Sequence, residues 1–194
     1  RAAIMKARQI SGYISSVSKT KMGRIIVLTG ARQTGKTTLS RQLFPDFEYI
    51  SVEDPVMVGA YLLLTASQWK TMYPKAILDE VQKQPVLVES IKSVYDQWQD
   101  PSYILLGSSQ LLLLQKVRES LAGRCAIIDL FPLTVPELQT NDSSEEVAYS
   151  LFQKILLYPD TPVAFLPSFL LDQRMSEKQQ AWNHYLKFGG YPAL

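Results

Sequence analysis

Residues 24–38 read RIIVLTGARQTGKTT, and this stretch decides the fold. Arg24 to Thr29 is a short apolar run rich in β-branched residues, the pattern of a buried strand. The run breaks at Gly30, and Gly30-Ala31-Arg32-Gln33-Thr34-Gly35-Lys36-Thr37 then satisfies G-x-x-x-x-G-K-[ST]. Such a match arises by chance in about one chain in a hundred of this length. Here it also sits directly after a strand pattern and directly before a helical one, Lys36 to Leu43. The glycines let the backbone curl so that successive N–H groups face inward as an anion nest. The helix start adds its unpaired N–H groups and the positive end of its dipole.

The ligand such a nest recognises is a nucleoside triphosphate. Lys36 is expected to reach the β- and γ-phosphates, the Thr37 hydroxyl to ligate Mg²⁺, and Thr38 to meet the α-phosphate. Residues 30–38 (Gly30, Ala31, Arg32, Gln33, Thr34, Gly35, Lys36, Thr37 and Thr38) are therefore the candidate nucleotide loop. A glycine-bearing turn with a solvated lysine is the weaker alternative given that placement.

Magnesium needs a carboxylate besides Thr37. Ala76-Ile77-Leu78-Asp79-Glu80 is an apolar strand that delivers Asp79 at its carboxyl end, with Glu80 beside it as a candidate general base that polarises water. Acids often end strands, so this pair gains its weight from the loop upstream. A further strand, Tyr103 to Leu106, ends at Gly107-Ser108-Ser109. Ser108 or Ser109 could sense the γ-phosphate, because ligands bind outside the carboxyl ends of parallel strands. Either could equally cap the helix that follows. Arg124, after Leu121-Ala122-Gly123, has two readings as well: a finger toward a neighbouring subunit's γ-phosphate, or a helix-end charge in a salt bridge, which is favoured.

Strand patterns at Phe47 to Val52 and Cys125 to Phe131 bring the number to five. Helical patterns at 55–67, 85–99 and 110–121 lie between them, and the alternation predicts a mainly parallel sheet with both faces covered. The expected class is α/β, a three-layer P-loop NTPase core. After Pro132 the character changes. The polar run 141–146 is expected to cap a helix reaching about Tyr158, and a last helix is expected over 176–188, ending at Gly189-Gly190. The expected division is a core over 1–134 and a helical extension over 135–194.

The 194 residues carry 20 basic and 18 acidic side chains, a balance of +2. That is too even for a histone-like nucleic-acid binder. The basic residues within 1–24, with no acid among them, read better as a solvated helix than as a nucleic-acid patch, since no recognition helix or aromatic stripe accompanies them. With 46% apolar residues and mean hydropathy near zero, the chain is of ordinary globular composition. The single Cys125 and the lone His184 offer no metal spacing. Cys125 reads as core, and Trp69, Trp98 and Trp182 as packing anchors. Apolar runs fall short of a membrane span, and no signal sequence is seen, so the expected location is cytoplasmic with no membrane partner. The first residue is not Met and the last is Leu194, which suggests a fragment.

The segments GARQTGKTTL, AILDEVQ, ILLGSSQ, SLAGR with DLFPLTVPEL, and the terminal YLKFGGYPAL together resemble a large, mostly uncharacterised group of prokaryotic AAA-type ATPases. The resemblance runs over 24–138 and resumes at 185–194. It implies an ASCE-type core in which the serine-ended strand lies between the phosphate-loop strand and the Asp-Glu strand. It also implies ATP as nucleotide and a nuclease-like carboxyl-terminal domain beyond Leu194. By position it gives Lys36 and Thr37 to nucleotide and Mg²⁺, Asp79 to Mg²⁺, Glu80 to the base, and Ser108 or Ser109 to the sensor. Three functions follow in order: an ATPase coupling nucleotide state to an attached module, with a homo-oligomer or partner protein supplying the finger; a switch with negligible turnover; and a small-molecule phosphotransferase, for which Arg118 and Arg124 would be lid residues.

Overall fold

The computed structural model describes residues 5–108, 115, 117, 119–161 and 174–192 of the 194. The chain forms two compact units, one over residues 11–131 and the other over 1–10 with 132–194.

The larger unit is built on a parallel sheet. Strands β1 (Ile25–Thr29), β2 (Glu48–Ser51), β3 (Lys75–Asp79), β4 (Ser102–Leu106) and β5 (Ala126–Asp129) lie in the order β2-β3-β4-β1-β5. Every neighbouring pair is parallel. Leu28 pairs with both Leu106 and Ile128, and Leu78 pairs with Leu105, so β1, β3, β4 and β5 end at one edge of the sheet. The inner strands β1, β3 and β4 are buried along nearly their whole length, as strands covered on both faces must be. β4 lies between β1 and β3, the order that the resemblance implies. The fifth strand is shorter than its apolar run: it covers four residues at the sheet edge, with Ile127 exposed.

Helices α1 (Ser11–Val17), α2 (Lys36–Leu43), α3 (Val58–Leu63), α4 (Ala66–Met72) and α5 (Val86–Gln97) complete the described part of this unit. The single helix expected over 55–67 is two. Thr65 takes an extended conformation, its hydroxyl accepts from the Gln68 N–H, and the Gln68 side chain accepts from the Thr65 N–H. This capping box ends one helix and starts the next. In α5, Leu87, Val88, Ile91, Val94 and Tyr95 form the buried stripe, while Trp98 leaves the helix extended and packs partly buried against the core. The helix expected over 110–121 is described at 115, 117, 119 and 120, which are helical, and at Leu121, which is already a bend. Leu111 to Leu114 and Arg118 lie outside the described residues.

Trp69 is fully buried, with ring centroids of Tyr73, Tyr61 and Tyr103 at 5.4, 6.1 and 6.5 Å. Of the other tryptophans, Trp182 is not a core anchor: it is about half exposed and stacks on Tyr185, three residues on along its own helix. Cys125 is buried just ahead of β5.

In the smaller unit, helix α6 (Val135–Leu138) starts at Thr134 in a capping box with Glu137. Glu137 is buried, accepts from the Gln9 N–H at 2.8 Å and pairs with Arg8 at 3.5 Å. Lys6 donates to the Thr140 carbonyl. Helix α7 (Leu151–Leu157) is capped by Ser150, with Gln153 completing the box, so the polar run 141–146 does not start it. Helix α8 (Met175–Phe188) ends at Gly189, in the left-handed region at φ 72°. At Gly190 a Cβ would overlap the Leu133 backbone, whose N–H donates to the Gly190 carbonyl at 2.6 Å. Three basic residues of the first segment are thus bound internally: Lys6 and Arg8 here, and Arg24 in the larger unit, where it donates to the Trp98 and Pro101 carbonyls and covers the Tyr95 ring at 4.2 Å, while Lys19 and Lys21 are exposed. The only α-helix in that segment, among the described residues, is α1.

Two predictions follow from this packing. Trp69→Ala removes the centre of the aromatic cluster and should cost roughly 3–5 kcal/mol in a denaturant titration; a loss under about 1 kcal/mol would contradict it. Burial raises the Cys125 thiol to about 11. A raised value leaves the thiol neutral until pH approaches it, so at pH 8 about one thiol in a thousand is ionised in the folded protein, against about a quarter in an unfolded chain. A thiol-specific reagent at pH 8 should therefore label folded protein roughly a hundredfold more slowly than denatured protein. Equal rates would contradict the burial.

Candidate functional site

The site grows from the carboxyl edge of the sheet, and β1 delivers its first element. Gly30 has φ 148°, and a Cβ there would overlap the carbonyl oxygen of Leu130, which follows the neighbouring strand β5. Only glycine lets the chain leave the sheet here. Thr29 is fully buried, and its hydroxyl donates to Asp129 Oδ1. The loop then turns through Gln33 at φ 64° and Gly35 at φ 90°, and Gly35 caps α2. Among the described residues, Gln33 is one of two non-glycine residues in the left-handed region, a conformation that costs about 1–3 kcal/mol where it is held. The other is Glu80, at φ 57°. Both lie at this site.

The Lys36 ammonium is buried within the curl of the loop and donates to the Gly30 carbonyl at 3.1 Å and the Ala31 carbonyl at 2.8 Å. Burial lowers its pKa; the Glu80 and Asp79 charges oppose that shift, and Arg32 adds to it. Thr34 closes the loop from the side, its hydroxyl donating to the Ala31 carbonyl at 3.0 Å.

The second element comes from β3. Asp79, 7% exposed, accepts from the Thr37 hydroxyl at 2.6 Å, across 42 residues of sequence. The same oxygen accepts from the Tyr49 hydroxyl of β2 at 2.9 Å, and the other carboxylate oxygen accepts from the Glu80 N–H at 2.9 Å. Burial and the bond to Asp79 raise the Tyr49 phenol to about 12. Glu80 accepts a hydrogen bond from the Gln82 side-chain amide.

Ser108 lies two residues beyond β4. It is buried, and its hydroxyl has no hydrogen-bond partner among the described residues. A buried hydroxyl left unpaired at the end of an inner strand is a group waiting for an acceptor or donor. Ser109 lies outside the described residues. Arg124 stands apart from the loop in its bonding: its Nε donates to Asp96 Oδ1 of α5 at 2.7 Å and Nη2 to Oδ2 at 3.3 Å. That two-pronged pair is the salt bridge favoured from sequence, and it raises the Arg124 pKa.

The structure thus brings Gly30 to Thr37, Asp79 and Glu80 into one constellation. Tyr49, Gln82 and Asp129 belong to it and were not singled out from sequence. Gln82 stands two residues past Glu80 in AILDEVQ, the nearest thing to a signal; Tyr49 is an ordinary strand tyrosine until β2 and β3 are paired.

A parallel sheet in the order 2-3-4-1-5, with a glycine loop after β1 and an acid pair at the end of β3, defines a P-loop NTPase. The model for the AAA domain family matches residues 22–139, and the chain belongs to that family. Two uncharacterized proteins, of Mycobacterium bovis and Mycobacterium tuberculosis, are each 30% identical over 166 residues, covering 81% of this chain and 33% of their own length. The chain therefore spans about a third of the curated relatives it matches. Among solved structures, the Walker-type ATPase of Pyrococcus abyssi superposes with a TM-score of 0.56 at 13% identity, over 99% of this chain and 67% of that one. A STAND-class signal-transduction ATPase with a tetratricopeptide repeat sensor, from Pyrococcus horikoshii, gives 0.53 at 15% identity, over 99% and 29%. These two likenesses bear on the fold. No helix among the described residues is long and apolar enough to cross a membrane.

Gly30→Ala brings both a disfavoured φ and an overlap with the Leu130 carbonyl, so the loop must move. Affinity for ATP, measured by equilibrium titration, should fall at least tenfold, on the order of the cost of one strained residue. Affinity equal to that of the wild type would contradict the loop geometry described here.

Proposed function

We propose that this AAA-type domain binds ATP with Mg²⁺ and hydrolyses it. The observation that carries the reading is the Thr37 hydroxyl seated on the Asp79 carboxylate at 2.6 Å, beside a lysine held inside the glycine loop. A hydroxyl has one proton and two lone pairs. Thr37 can donate to Asp79 and still offer oxygen to a cation. These two residues fit Mg²⁺, which takes few protein oxygens and completes its octahedron with water and phosphate. When bound, the ion would neutralise charge on the β- and γ-phosphates.

The protein's own part is positioning and charge. The loop N–H groups cradle the phosphates, and Lys36 exchanges the Gly30 and Ala31 carbonyls for phosphate oxygens. Glu80, its carboxylate held by Gln82, orients and deprotonates the attacking water. Ser108 offers its hydroxyl to the γ-phosphate; its neighbour Ser109 remains the alternative from sequence. Thr38 meets the α-phosphate. All of this machinery lies within residues 11–131. That the relatives are about three times the length of the matched part supports the further proposal that nucleotide state is coupled to an attached module; a cytoplasmic location is proposed with it.

A second reading, a switch with negligible turnover, is favoured by one observation: the arginine that would serve as a finger, Arg124, is engaged by Asp96. In the hydrolytic reading a second copy or a partner draws it away or supplies another. The test is Mg²⁺-ATP turnover across a range of protein concentrations. Glu80→Gln should bind ATP and lose roughly 10²–10⁴ in rate, the usual worth of a general base. Specific activity should climb with concentration. ATP binding without hydrolysis at every concentration would overturn the enzyme in favour of the switch.

A further inference from the structure

We propose that Tyr49 is a positioning residue for the Mg²⁺ site, fixing the Asp79 carboxylate through its phenol hydroxyl. The inference rests on Asp79 and Thr37 forming that site. Asp79 is a short side chain at the end of a strand, and its carboxylate needs outside partners to hold one orientation. One oxygen is set by its own backbone neighbour, the Glu80 N–H at 2.9 Å. The other receives two donors, Thr37 at 2.6 Å and Tyr49 at 2.9 Å. Thr37 must also serve the cation, so it is a shared partner. Tyr49 serves the carboxylate alone.

Strand pairing explains how an edge-strand residue reaches an inner carboxylate. Ser51 is the register partner of Asp79, and Tyr49 that of Ile77. Tyr49 and Asp79 therefore lie on one face of the sheet, a diagonal step apart, because side chains alternate faces along a strand. A six-membered ring with a para hydroxyl spans that diagonal. The ring is also held from the far side. Arg41, in the last turn of α2, lies over it with its guanidinium carbon 4.4 Å from the centroid. The helix that begins at the phosphate loop thus ends by pinning the residue that orients the metal carboxylate.

Tyr49 is neither fully buried nor among the aromatic cluster around Trp69, so its ring is not a core element. What it contributes is the one bond from its hydroxyl. Partners that orient metal ligands typically carry 10–100-fold in metal affinity.

The experiment is equilibrium binding of a fluorescent ATP analogue, titrated with Mg²⁺, using wild type, Tyr49→Phe and Asp79→Asn. Tyr49→Phe keeps the ring and the Arg41 contact and removes only the hydroxyl. The Mg²⁺ midpoint should rise about tenfold or more, with analogue affinity in EDTA and the melting temperature unchanged. Tyr49→Leu, which also removes the ring, should shift it at least as far. A Tyr49→Phe midpoint within about twofold of wild type, alongside loss of Mg²⁺ dependence in Asp79→Asn, overturns the role of Tyr49 alone. Wild-type Mg²⁺ dependence in Asp79→Asn overturns the metal reading on which the proposal stands.

Discussion

Everything at the site depends on where β1 sits. Among the described residues it is the only strand whose five residues are all buried, and it is paired in parallel on both sides, with β4 and with β5. A strand clamped in this way cannot shift its register without moving both neighbours. Its end is therefore a fixed point, and the backbone must turn out of the sheet within one residue, against the Leu130 carbonyl. Gly30 makes that turn. The loop, the cap at Gly35 and the axis of α2 all follow from it. The same parallel pairing brings the ends of β3 and β4 to the same edge, which is how Asp79 and Ser108 come within the region the loop defines.

The chemistry at that edge is a matter of groups held in readiness. Lys36 is buried, bound to carbonyls of its own loop, and its ammonium is destabilised by desolvation; phosphate oxygens would relieve both conditions. Asp79 carries three donors on two oxygens. Ser108 carries a hydroxyl with no hydrogen-bond partner among the described residues. Glu80 sits in a left-handed conformation that glutamate adopts at a cost, held by the Gln82 amide and by its place at the strand end. Strain and unpaired polarity of this kind are uncommon in a structural core and gather where a ligand completes the arrangement.

Much of this was legible in the sequence because the signals are local. The glycine spacing, the apolar runs and the acid pair each occupy fewer than ten consecutive residues, and strand β1, helix α2 and strands β2 to β4 fall where those runs place them, within a residue or two. Helix ends were less legible. The Thr65/Gln68, Thr134/Glu137 and Ser150/Gln153 boxes are written in the sequence as T-x-x-Q, T-x-x-E and S-x-x-Q, but such patterns abound in polar stretches and carry weight only beside an apolar stripe. The polar run 141–146 drew the cap four to nine residues too early for that reason. Tyr49 was illegible for a different reason: its partner Asp79 lies 30 residues away on another strand, and only the register of β2 on β3 makes them neighbours. The charges of the first segment misled in the same way. Lys6 and Arg8 look free in a linear reading and are bound to Thr140 and Glu137, more than 125 residues along the chain.

The central claim is that the backbone of residues 30–38 is an anion nest for a triphosphate. Amide hydrogen exchange tests it most directly, with the protein alone and with Mg²⁺-ATP added. Peptides spanning 30–38 should gain the strongest protection in the molecule, because their N–H groups pass from solvent or weak partners to phosphate oxygens. Protection of some other segment, with exchange across 30–38 unchanged by ATP, would contradict it.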